Sequence, residues 1–553
     1  MTEKKTSRRT PLFYIISALV IISILIAIIF WQKIKYHLVN RQLNSAITGK
    51  SEGLYQISYK NLVIDEVAGN ISVEDVHLST DSTIYKELSK QENSALTRID
   101  IRIPKLIITG VKTPKALLNK EMEAHSINIQ SAVIELSPQK QDDKPSKSKL
   151  ATEIYRQVLS KLQSVKADSL ILQEITFIIK DPESGQTKFK GSGFSCSLSD
   201  ILIDSLHQND SSRVFFAKEI AVSCSDLSLN SKDKKYKYVF SGLEYRSDRN
   251  QLKAAKIMIE PQLSEAAFAN AYKYSKDRYH FIIENLDIRN INRYALFSQR
   301  LIADSMILDN SSFKIFRDIS NPHDSIDRTQ KYPQQSLMKL PLPVNIHTVV
   351  FARSFIEYKE KNAKSDSSGK VQFYAVHAVL SNLTNIPEFI GKNNKMKLNF
   401  QSRFLNQAPF HAELIMMLKD PSGRFTLDAK LGGMNTAFLN PMIQPIALAR
   451  IDKGKIQSLS YHLDADDLHA VGKLTFLYSN LKVVLLQKDE DQNKYKTKIL
   501  PTLAAGLMLK NSNPSRGEIR ISRVDYKRDK YRSMFNLMWK SMFSALKETA
   551  GMK

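Results

Sequence analysis

The feature that most constrains the fold of this 553-residue chain is the alternation of apolar and polar residues in many short runs from Leu54 onward. The clearest runs are 395–403, 410–418 and 424–431. Successive side chains of a β-strand point to opposite faces of a sheet, so each run predicts a strand with one buried and one wet face. Antiparallel sheets commonly have this character, and the sequence therefore predicts a mainly β protein with antiparallel strands.

The apolar members of these runs are predicted to share one face of the sheet. They are Met396, Leu398, Phe400, Phe410, Leu414, Met416, Phe425, Leu427 and Leu431. Alternation marks an apolar face without indicating what covers it. An open face and a face filled by the protein's own side chains are therefore both compatible with the pattern.

Degenerate internal repeats accompany the alternation. Residues 106–136 and 286–316 share the order strand, short helical turn, strand and strand, and residues 175–185 resemble 349–359. Repeats of one supersecondary unit stack side by side, so we expect an elongated sheet. The few helices expected besides lie at 150–162, 264–274 and 436–443, the last interrupted at Pro441.

An uncharged stretch at residues 12–31 predicts a transmembrane anchor. About 20 apolar residues span a hydrocarbon core of about 30 Å. A cleaved signal peptide is the alternative, but its apolar region has about 7–15 residues and a small-residue cleavage site follows it. The residues taken to mark the span are Leu12, Tyr14, Ile22, Ile28 and Trp31. The short basic tail before the span predicts a cytoplasmic N-terminus and a translocated bulk.

These features predict the organisation of the whole chain. Its parts are a cytoplasmic tail (1–11), a membrane anchor (12–31), a juxtamembrane helix (32–50), an N-terminal β part (51–317), a proline-rich linker or loop (318–343), a C-terminal β part (344–527) and an amphipathic helix (528–553). The inner membrane, with the bulk in the periplasm, is the location expected from the resemblance described below.

The charge balance narrows the choice of partners. Lys and Arg number 80 against 56 Asp and Glu, a net charge of +24. Such an excess suits nucleic acid or anionic lipid. A translocated domain meets no nucleic acid, and we find no dense Lys/Arg block of the nucleic-acid type. We therefore expect either anionic lipid surfaces as partners or a solvated basic surface spread along the chain.

The chain has two cysteines, Cys196 and Cys224, which is too few for a disulfide-stapled scaffold. Both lie in strand-like runs. A disulfide between neighbouring strands and two buried free thiols are equally compatible with the sequence.

The sequence offers no recognisable catalytic or cofactor-binding motif. Glycine is scarce, with 18 residues, and no phosphate-binding, dinucleotide-binding, His-Glu-x-x-His or nucleophile-elbow motif occurs. Asp464, Asp466 and Asp467 could hold a hard cation, but no glycine or closing glutamate follows at calcium-loop spacing, so an acidic turn is the simpler interpretation. We predict a protein that is not an enzyme and has no catalytic residues, cofactor or metal.

The C-terminal segment predicts a basic, aromatic amphipathic helix. Such a helix either lies in a membrane interface or covers the end of the sheet with its apolar face inward, and one helix can do both. The candidate membrane-interface residues are Phe535, Met538, Trp539, Met542 and Phe543.

The anchor, the strand repeats and three segments, 427–442, 451–459 and 465–476, resemble the AsmA-like family of Gram-negative envelope proteins. The resemblance implies an inner-membrane anchor and a twisted, groove-shaped β-sheet in the periplasm, with the apolar residues named above facing the groove. It also implies binding or transfer of phospholipid along that groove and support of outer-membrane homeostasis. The outer membrane or another envelope protein would be met at the C-terminal end.

Three functional hypotheses follow. The first is a non-enzymatic lipid-handling protein whose apolar groove accepts acyl chains. The second is a structural or scaffolding envelope protein whose sheet packs on itself and carries no lipid. The third is an envelope hydrolase, because a carboxylate pair assembled only by folding leaves no sequence motif. The resemblance favours the first.

Overall fold

A computed structural model describes residues 54–65, 67–88, 97–112, 121–138, 163–181, 184–207, 210, 212–214, 216–363, 365, 367–489, 494–497 and 510–551. The predicted cytoplasmic tail, membrane anchor and juxtamembrane helix lie outside the described residues, as does the whole of the helix predicted at 150–162. Within the described ranges, no helix combines the length and apolar character that a membrane span requires.

The fold is mainly β with a few short helices, as predicted. The described strands are β1 Tyr55–Asp65, β2 Asn70–Thr80, β3 Thr97–Thr109, β4 Glu121–Gln130, β5 Val133–Pro138, β6 Ser164–Lys180, β7 Thr187–Asp204, β8 Ala217–Asn230, β9 Tyr236–Arg246, β10 Gln251–Pro261, β11 Asp277–Arg289, β12 Leu301–Asp318, β13 Val344–Lys361, β14 Ser368–Thr384, β15 Lys395–Phe404, β16 Ala408–Met417, β17 Phe425–Leu431, β18 Met434–Asn435, β19 Ala449–Ala465, β20 His469–Asp489, β21 Lys494–Thr497 and β22 Ile521–Lys527. The described helices are α1 Ser82–Leu88, α2 Glu265–Asn270, α3 Arg293–Phe297, α4 Pro333–Met338, α5 Pro387–Lys392, α6 Asn440–Ala447 and α7 Met534–Thr549, with a 3-10 turn at Thr436–Leu439.

Three of the predicted helices are present with shifted bounds, and the C-terminal one, predicted at 528–553, spans Met534–Thr549. The predicted N-cap of α2 is confirmed, because Ser264 Oγ accepts a hydrogen bond from the backbone N–H of Ala267 at 3.2 Å. The segment predicted to be interrupted at Pro441 instead begins as the 3-10 turn and continues as α6. Pro441 sits in the first turn of α6, where a missing N–H costs no intrahelical hydrogen bond.

The chain divides into two compact units, one of Met1–Ser231 with Tyr238–Ala255 and one of Lys232–Lys237 with Lys256–Lys553. The proline-rich segment 318–343, predicted as a linker or loop, lies wholly within the second unit and contains α4. Tyr332 and Gln334 are buried there. This segment is therefore packed into the second unit and does not form a joint between the two.

The sheet is mixed, whereas the sequence predicts antiparallel strands alone. Most described pairs are antiparallel, but β4 and β5 pair parallel with β6, and β12 pairs parallel with β13. A parallel neighbour requires a crossover connection of a dozen or more residues. Such a length of chain separates β5 from β6 and β12 from β13.

The predicted repeat is confirmed at the level of strand pairing. In the first unit β3 pairs antiparallel with β4 and β5, these pair parallel with β6, and β6 pairs antiparallel with β7. In the second unit β11, β12, β13 and β14 follow the same scheme. The single strand β12 therefore corresponds to β4 and β5 together.

Left-handed residues interrupt the strands of both repeats at matching levels. Ser131 lies opposite Glu174 in the first unit, and Asn310 lies opposite Arg353 in the second, as the registers on either side require. All four residues have a positive φ, which is 52° at Ser131, 55° at Glu174, 50° at Asn310 and 49° at Arg353. Such bulges insert an extra residue and increase the local twist. They also shift the alternation of faces by one residue.

Candidate functional site

The nine apolar residues predicted to share a face do so in the second unit. Met396 lies opposite Met416, which lies opposite Phe425, and Leu398, Leu414 and Leu427 form the next row. Phe400 follows in the third row, and Phe410 lies opposite Leu431. Met396, Met416 and Phe425 are buried, and the other six are half-buried. Their common face is thus confirmed, and a role in a groove stays a prediction.

This apolar face continues across the neighbouring strands of the second unit. One unbroken cross-strand row, from β11 to β22, consists of Ile288, Met306, Val349, Leu380, Leu398, Leu414, Leu427, Leu463, Gly472 and Val524. No member of this row is charged. The row gives the second unit a continuous apolar surface on one side of its sheet.

Seven half-buried phenylalanines lie on this face, and we call them the phenylalanine patch. They are Phe281, Phe313, Phe351, Phe373, Phe400, Phe404 and Phe410. The centroid of the Phe313 ring lies 5.4 Å from the centroid of the Phe281 ring and 5.9 Å from that of the Phe351 ring. Phe373 lies 5.4–5.6 Å from Phe400, Phe404 and Phe410. Rings that touch in this way present a broad apolar surface without a polar atom.

Charged and polar side chains lie on the opposite face of the same strands. Lys397 and Glu413 form an ion pair at 2.7 Å, and the amide of Gln372 donates a hydrogen bond to Glu357 at 2.6 Å. His462 lies between Asp428 and Asp464, at 2.8 Å and 3.2 Å from their carboxylates. The two faces of the sheet therefore differ sharply in chemistry, as the alternation predicts.

The C-terminal helix α7 packs one face against the sheet. Leu537 is buried, Tyr461 Oη lies 2.8 Å from Ser541 Oγ, and Ser522 Oγ lies 2.7 Å from Thr549 Oγ1. Met538 and Met542, two of the predicted membrane-interface residues, pack against the same core. Both methionines are half-buried, and contact of their side chains with a membrane interface stays a prediction.

The other three predicted interface residues lie on the outward side of α7. Phe535 and Phe543 are exposed, with 53% and 39% of their surface accessible. The Trp539 ring stacks on Phe543 at 6.0 Å, and the Lys547 ammonium lies 5.6 Å from the Phe543 centroid. The helix therefore covers the sheet and still presents an aromatic stripe, which is the combined arrangement that the sequence allows.

The aspartate cluster is an acidic turn built into a buried polar network. Asp466 accepts hydrogen bonds from the backbone N–H groups of Leu468 and His469. Asp467 forms a buried ion pair with Arg528, whose guanidinium lies 4.3 Å from the centroid of the Tyr332 ring. Within the part of the chain that the structure describes, no group of acidic, His or Cys side chains has the arrangement of a metal site.

Asp467 connects segments that are distant in sequence. One carboxylate oxygen accepts hydrogen bonds from the backbone N–H of Gln330 at 2.9 Å and from the Gln335 amide at 2.8 Å. Arg528 also donates to the backbone carbonyls of Arg328 and Arg532. This network holds α4 and the end of β22 against the turn between β19 and β20, and the sequence gives no sign of it.

Both cysteines are free thiols. They lie on neighbouring strands, but Cys224 is opposite Phe194 and Cys196 is opposite Val222. Burial raises the pKa of the Cys196 thiol to about 12, and burial also raises that of Cys224. The structure thus favours free thiols over a disulfide.

Comparison of the sequence with protein-family models and with curated proteins gives no match. The resemblance to AsmA-like proteins therefore rests on the sequence segments that suggest it.

Proposed function

We propose that this protein is a non-enzymatic, membrane-anchored envelope protein that shelters the acyl chains of phospholipids on the apolar face of its second unit. The observation that supports this most is the phenylalanine patch, a set of touching rings that stay half-exposed beside an uncharged cross-strand row. Apolar patches of this kind on a protein surface mark binding sites.

The energetics of such a site require no catalyst. Moving an acyl chain from water onto the rings contributes about 0.8 kcal/mol for each buried CH₂ group. A few methylene groups on the rings therefore outweigh the conformational entropy that the bound acyl chain loses. The side chains would serve as a passive apolar support along which a chain can lie. No nucleic acid, cofactor or metal enters this function.

The location belongs to the same proposal. An anchor at residues 12–31 would hold the protein in the inner membrane with its bulk in the periplasm, as in the AsmA-like proteins that the chain resembles. The stripe of Phe535, Trp539 and Phe543 suits contact with a membrane interface. The partner met at this C-terminal end would be the outer membrane or another envelope protein. Transfer along an elongated groove, in support of outer-membrane homeostasis, remains a prediction from that resemblance.

A scaffolding role without lipid is the second candidate, and one observation favours it. The apolar face of the first unit is sealed, with Ile108, Ile129 and Leu198 completely buried. A face of this kind acts as an ordinary core. We therefore assign lipid binding to the second unit alone.

A lipid-uptake experiment tests the proposal. The full chain, purified in detergent and freed of lipid, is mixed with a fluorescent phospholipid, and bound lipid is measured after separation. Phe351→Asn alters the patch, whereas Phe355→Asn makes the same change on the polar face of the same strand, where Phe355 contacts Tyr374. We expect the first variant to lose about tenfold in affinity, equivalent to about 1.4 kcal/mol of apolar contact.

The control variant Phe355→Asn should bind as the unmodified protein does. No uptake by the unmodified protein would reject lipid binding and favour the scaffold. An equal loss in both variants would show that the patch is not the binding surface.

A further inference from the structure

Two lysine-rich segments, 232–237 and 271–278, meet in the second unit although more than thirty residues separate them in sequence. The Lys235 and Lys276 ammonium groups lie 3.6 Å and 4.4 Å from the centroid of the Tyr272 ring. Lys235 Nζ also donates to the Ala271 carbonyl at 3.5 Å. The ring of Tyr272 is thus placed between two cations from different segments, an arrangement that cation–π attraction stabilises.

The meeting of these segments concentrates positive charge, and we call it the lysine patch. It consists of Lys232, Lys234, Lys235, Lys237, Lys273 and Lys276. Two carboxylates lie among them. Asp233 accepts a hydrogen bond from Tyr272 Oη at 3.3 Å, and Asp277 forms an ion pair with Arg317 at 3.1 Å. The two segments therefore carry six lysines and Arg278 against two aspartates.

Tyrosines and apolar rings adjoin the lysine patch. Tyr274 and Tyr279 are exposed, with 37% and 38% of their surface accessible. Tyr279 is held in place because its backbone N–H donates to Tyr236 Oη at 3.1 Å. Its ring centroid lies 5.4 Å from that of Phe281, which is the first ring of the phenylalanine patch. Charged, amphipathic and apolar side chains therefore follow one another along the start of β11.

We propose that the lysine patch binds the phosphate-bearing headgroups of anionic phospholipids at a membrane surface. The order of side chains matches a phospholipid at the interface, with phosphate at the ammonium groups, the glycerol region at the tyrosines and the chains toward Phe281. Polybasic clusters attract anionic membranes, and tyrosine is enriched at their interfaces. A phospholipid has an acyl chain that can lie on the apolar rings beyond the tyrosines, whereas a nucleic acid has no such chain. The part of the inference that concerns acyl chains rests on the function proposed above.

A matched pair of charge variants tests the inference in the full chain. The quadruple variant K232Q/K234Q/K273Q/K276Q neutralises four exposed members of the patch. The control K395Q/K430Q/K453Q/K473Q neutralises four exposed lysines elsewhere in the second unit and changes the net charge equally. Protein in detergent-free nanodiscs of phosphatidylcholine is tested for binding to vesicles of phosphatidylglycerol and of phosphatidylcholine, by flotation.

We expect the unmodified protein and the control variant to prefer phosphatidylglycerol vesicles. The patch variant should lose about tenfold or more of this binding, since each lysine near an anionic surface contributes to the attraction. An equal loss in both variants would overturn the inference, because net charge alone would then explain the binding. Equal binding of the unmodified protein to phosphatidylglycerol and phosphatidylcholine vesicles would overturn it as well.

A neutral probe separates this inference from the proposed function. Uptake of fluorescent diacylglycerol, which has no phosphate, should be unchanged in the patch variant if acyl chains bind the phenylalanine patch. If no protein takes up the neutral probe while the patch variant alone loses vesicle binding, the acyl-chain function fails and headgroup recognition stands.

Discussion

Among single residues, the Asp467–Arg528 pair is the interaction whose loss we expect to cost most. Both side chains are buried, and Arg528 has its guanidinium against the Tyr332 ring. Removing one partner of a buried pair leaves an uncompensated charge, which destabilises by about 3–5 kcal/mol. Asp467→Asn should lower the free energy of unfolding of the second unit by about that amount. Urea denaturation followed by the fluorescence of Trp539 measures it.

Asp464→Asn, at the end of β19 and three residues before Asp467, is the matched control. Its side chain is 56% exposed and contacts His462 on the polar face, so its removal should change the free energy of unfolding by less than about 1 kcal/mol. Equal effects of the two substitutions would contradict a structural role for the buried pair.

His462 provides a prediction about pH. The hydrogen bond to Asp428, and after it the bond to Asp464, raises the pKa of His462 above its ordinary value of about 6.5. Because the folded pKa exceeds the unfolded one, the stabilisation is fully present below about pH 6.5 and is lost as pH rises through the folded pKa. In Asp428→Asn the midpoint of the His462 titration, followed by NMR of labelled histidine, should fall further than in Asp464→Asn. A midpoint that moves in neither variant would contradict this.

At the scale of strands, the positions of the bulges determine which residues of the apolar face can be identified from the sequence. β15, β16 and β17 pair without a register shift, so simple alternation placed Met396 to Leu431 on one face correctly. In β13 the extra residue Arg353 shifts the alternation, so Phe351 and Ile356 share a face although they are five residues apart. Strict alternation therefore could not identify the members of the phenylalanine patch that lie on bulged strands, such as Phe313 and Phe351.

The bulge of β7 allows a test of how tightly neighbouring strands approach. Gly193 has a φ of +63°, and a Cβ there would lie 2.5 Å from Ser225 Oγ, whereas Gly185 has a φ of +68° with nothing within 4 Å. Gly185→Ala should cost only the left-handed strain of about 1–2 kcal/mol. Gly193→Ala should cost about 2–4 kcal/mol, because overpacking adds to the strain. Hydrogen exchange of the β7 amides measures both, and equal values would argue against the close approach.

The two faces of α7 should respond differently to substitution. Leu537→Ala removes a buried side chain and should destabilise the second unit by about 2–5 kcal/mol without changing membrane affinity. Phe535→Ser with Phe543→Ser should leave stability nearly unchanged and weaken the binding of anionic vesicles. The blue shift of Trp539 emission on vesicle addition, in a Trp31→Phe background, reports this binding. A blue shift that persists in the outward double variant would contradict a membrane contact through this stripe.

At the scale of the whole molecule, the sequence predicted the mainly β class, the apolar face and the repeat. Each of these three features depends on the order of residues within short segments of the chain. It did not predict the parallel pairs or the lysine patch. Lys235 and Lys276 meet only because the chain between them folds back, and neither segment alone is a dense basic block. The packing of the proline-rich segment through Tyr332 and Gln335 likewise depends on contacts more than 80 residues distant in sequence.

The two units should differ in their response to lipid. A ligand that binds the folded state stabilises it by about 2.7 kcal/mol at a hundred times its dissociation constant, and the effect appears where the ligand binds. The half-exposed phenylalanine patch predicts that a short-chain phospholipid slows hydrogen exchange in β11 to β16. The amides of β3 to β7 should be unaffected, because Ile108, Ile175 and Leu198 on that face are completely buried and leave no surface for a chain. Hydrogen exchange measured by mass spectrometry with and without lipid tests this difference between the units. Protection confined to the first unit would contradict the assignment of lipid binding to the second.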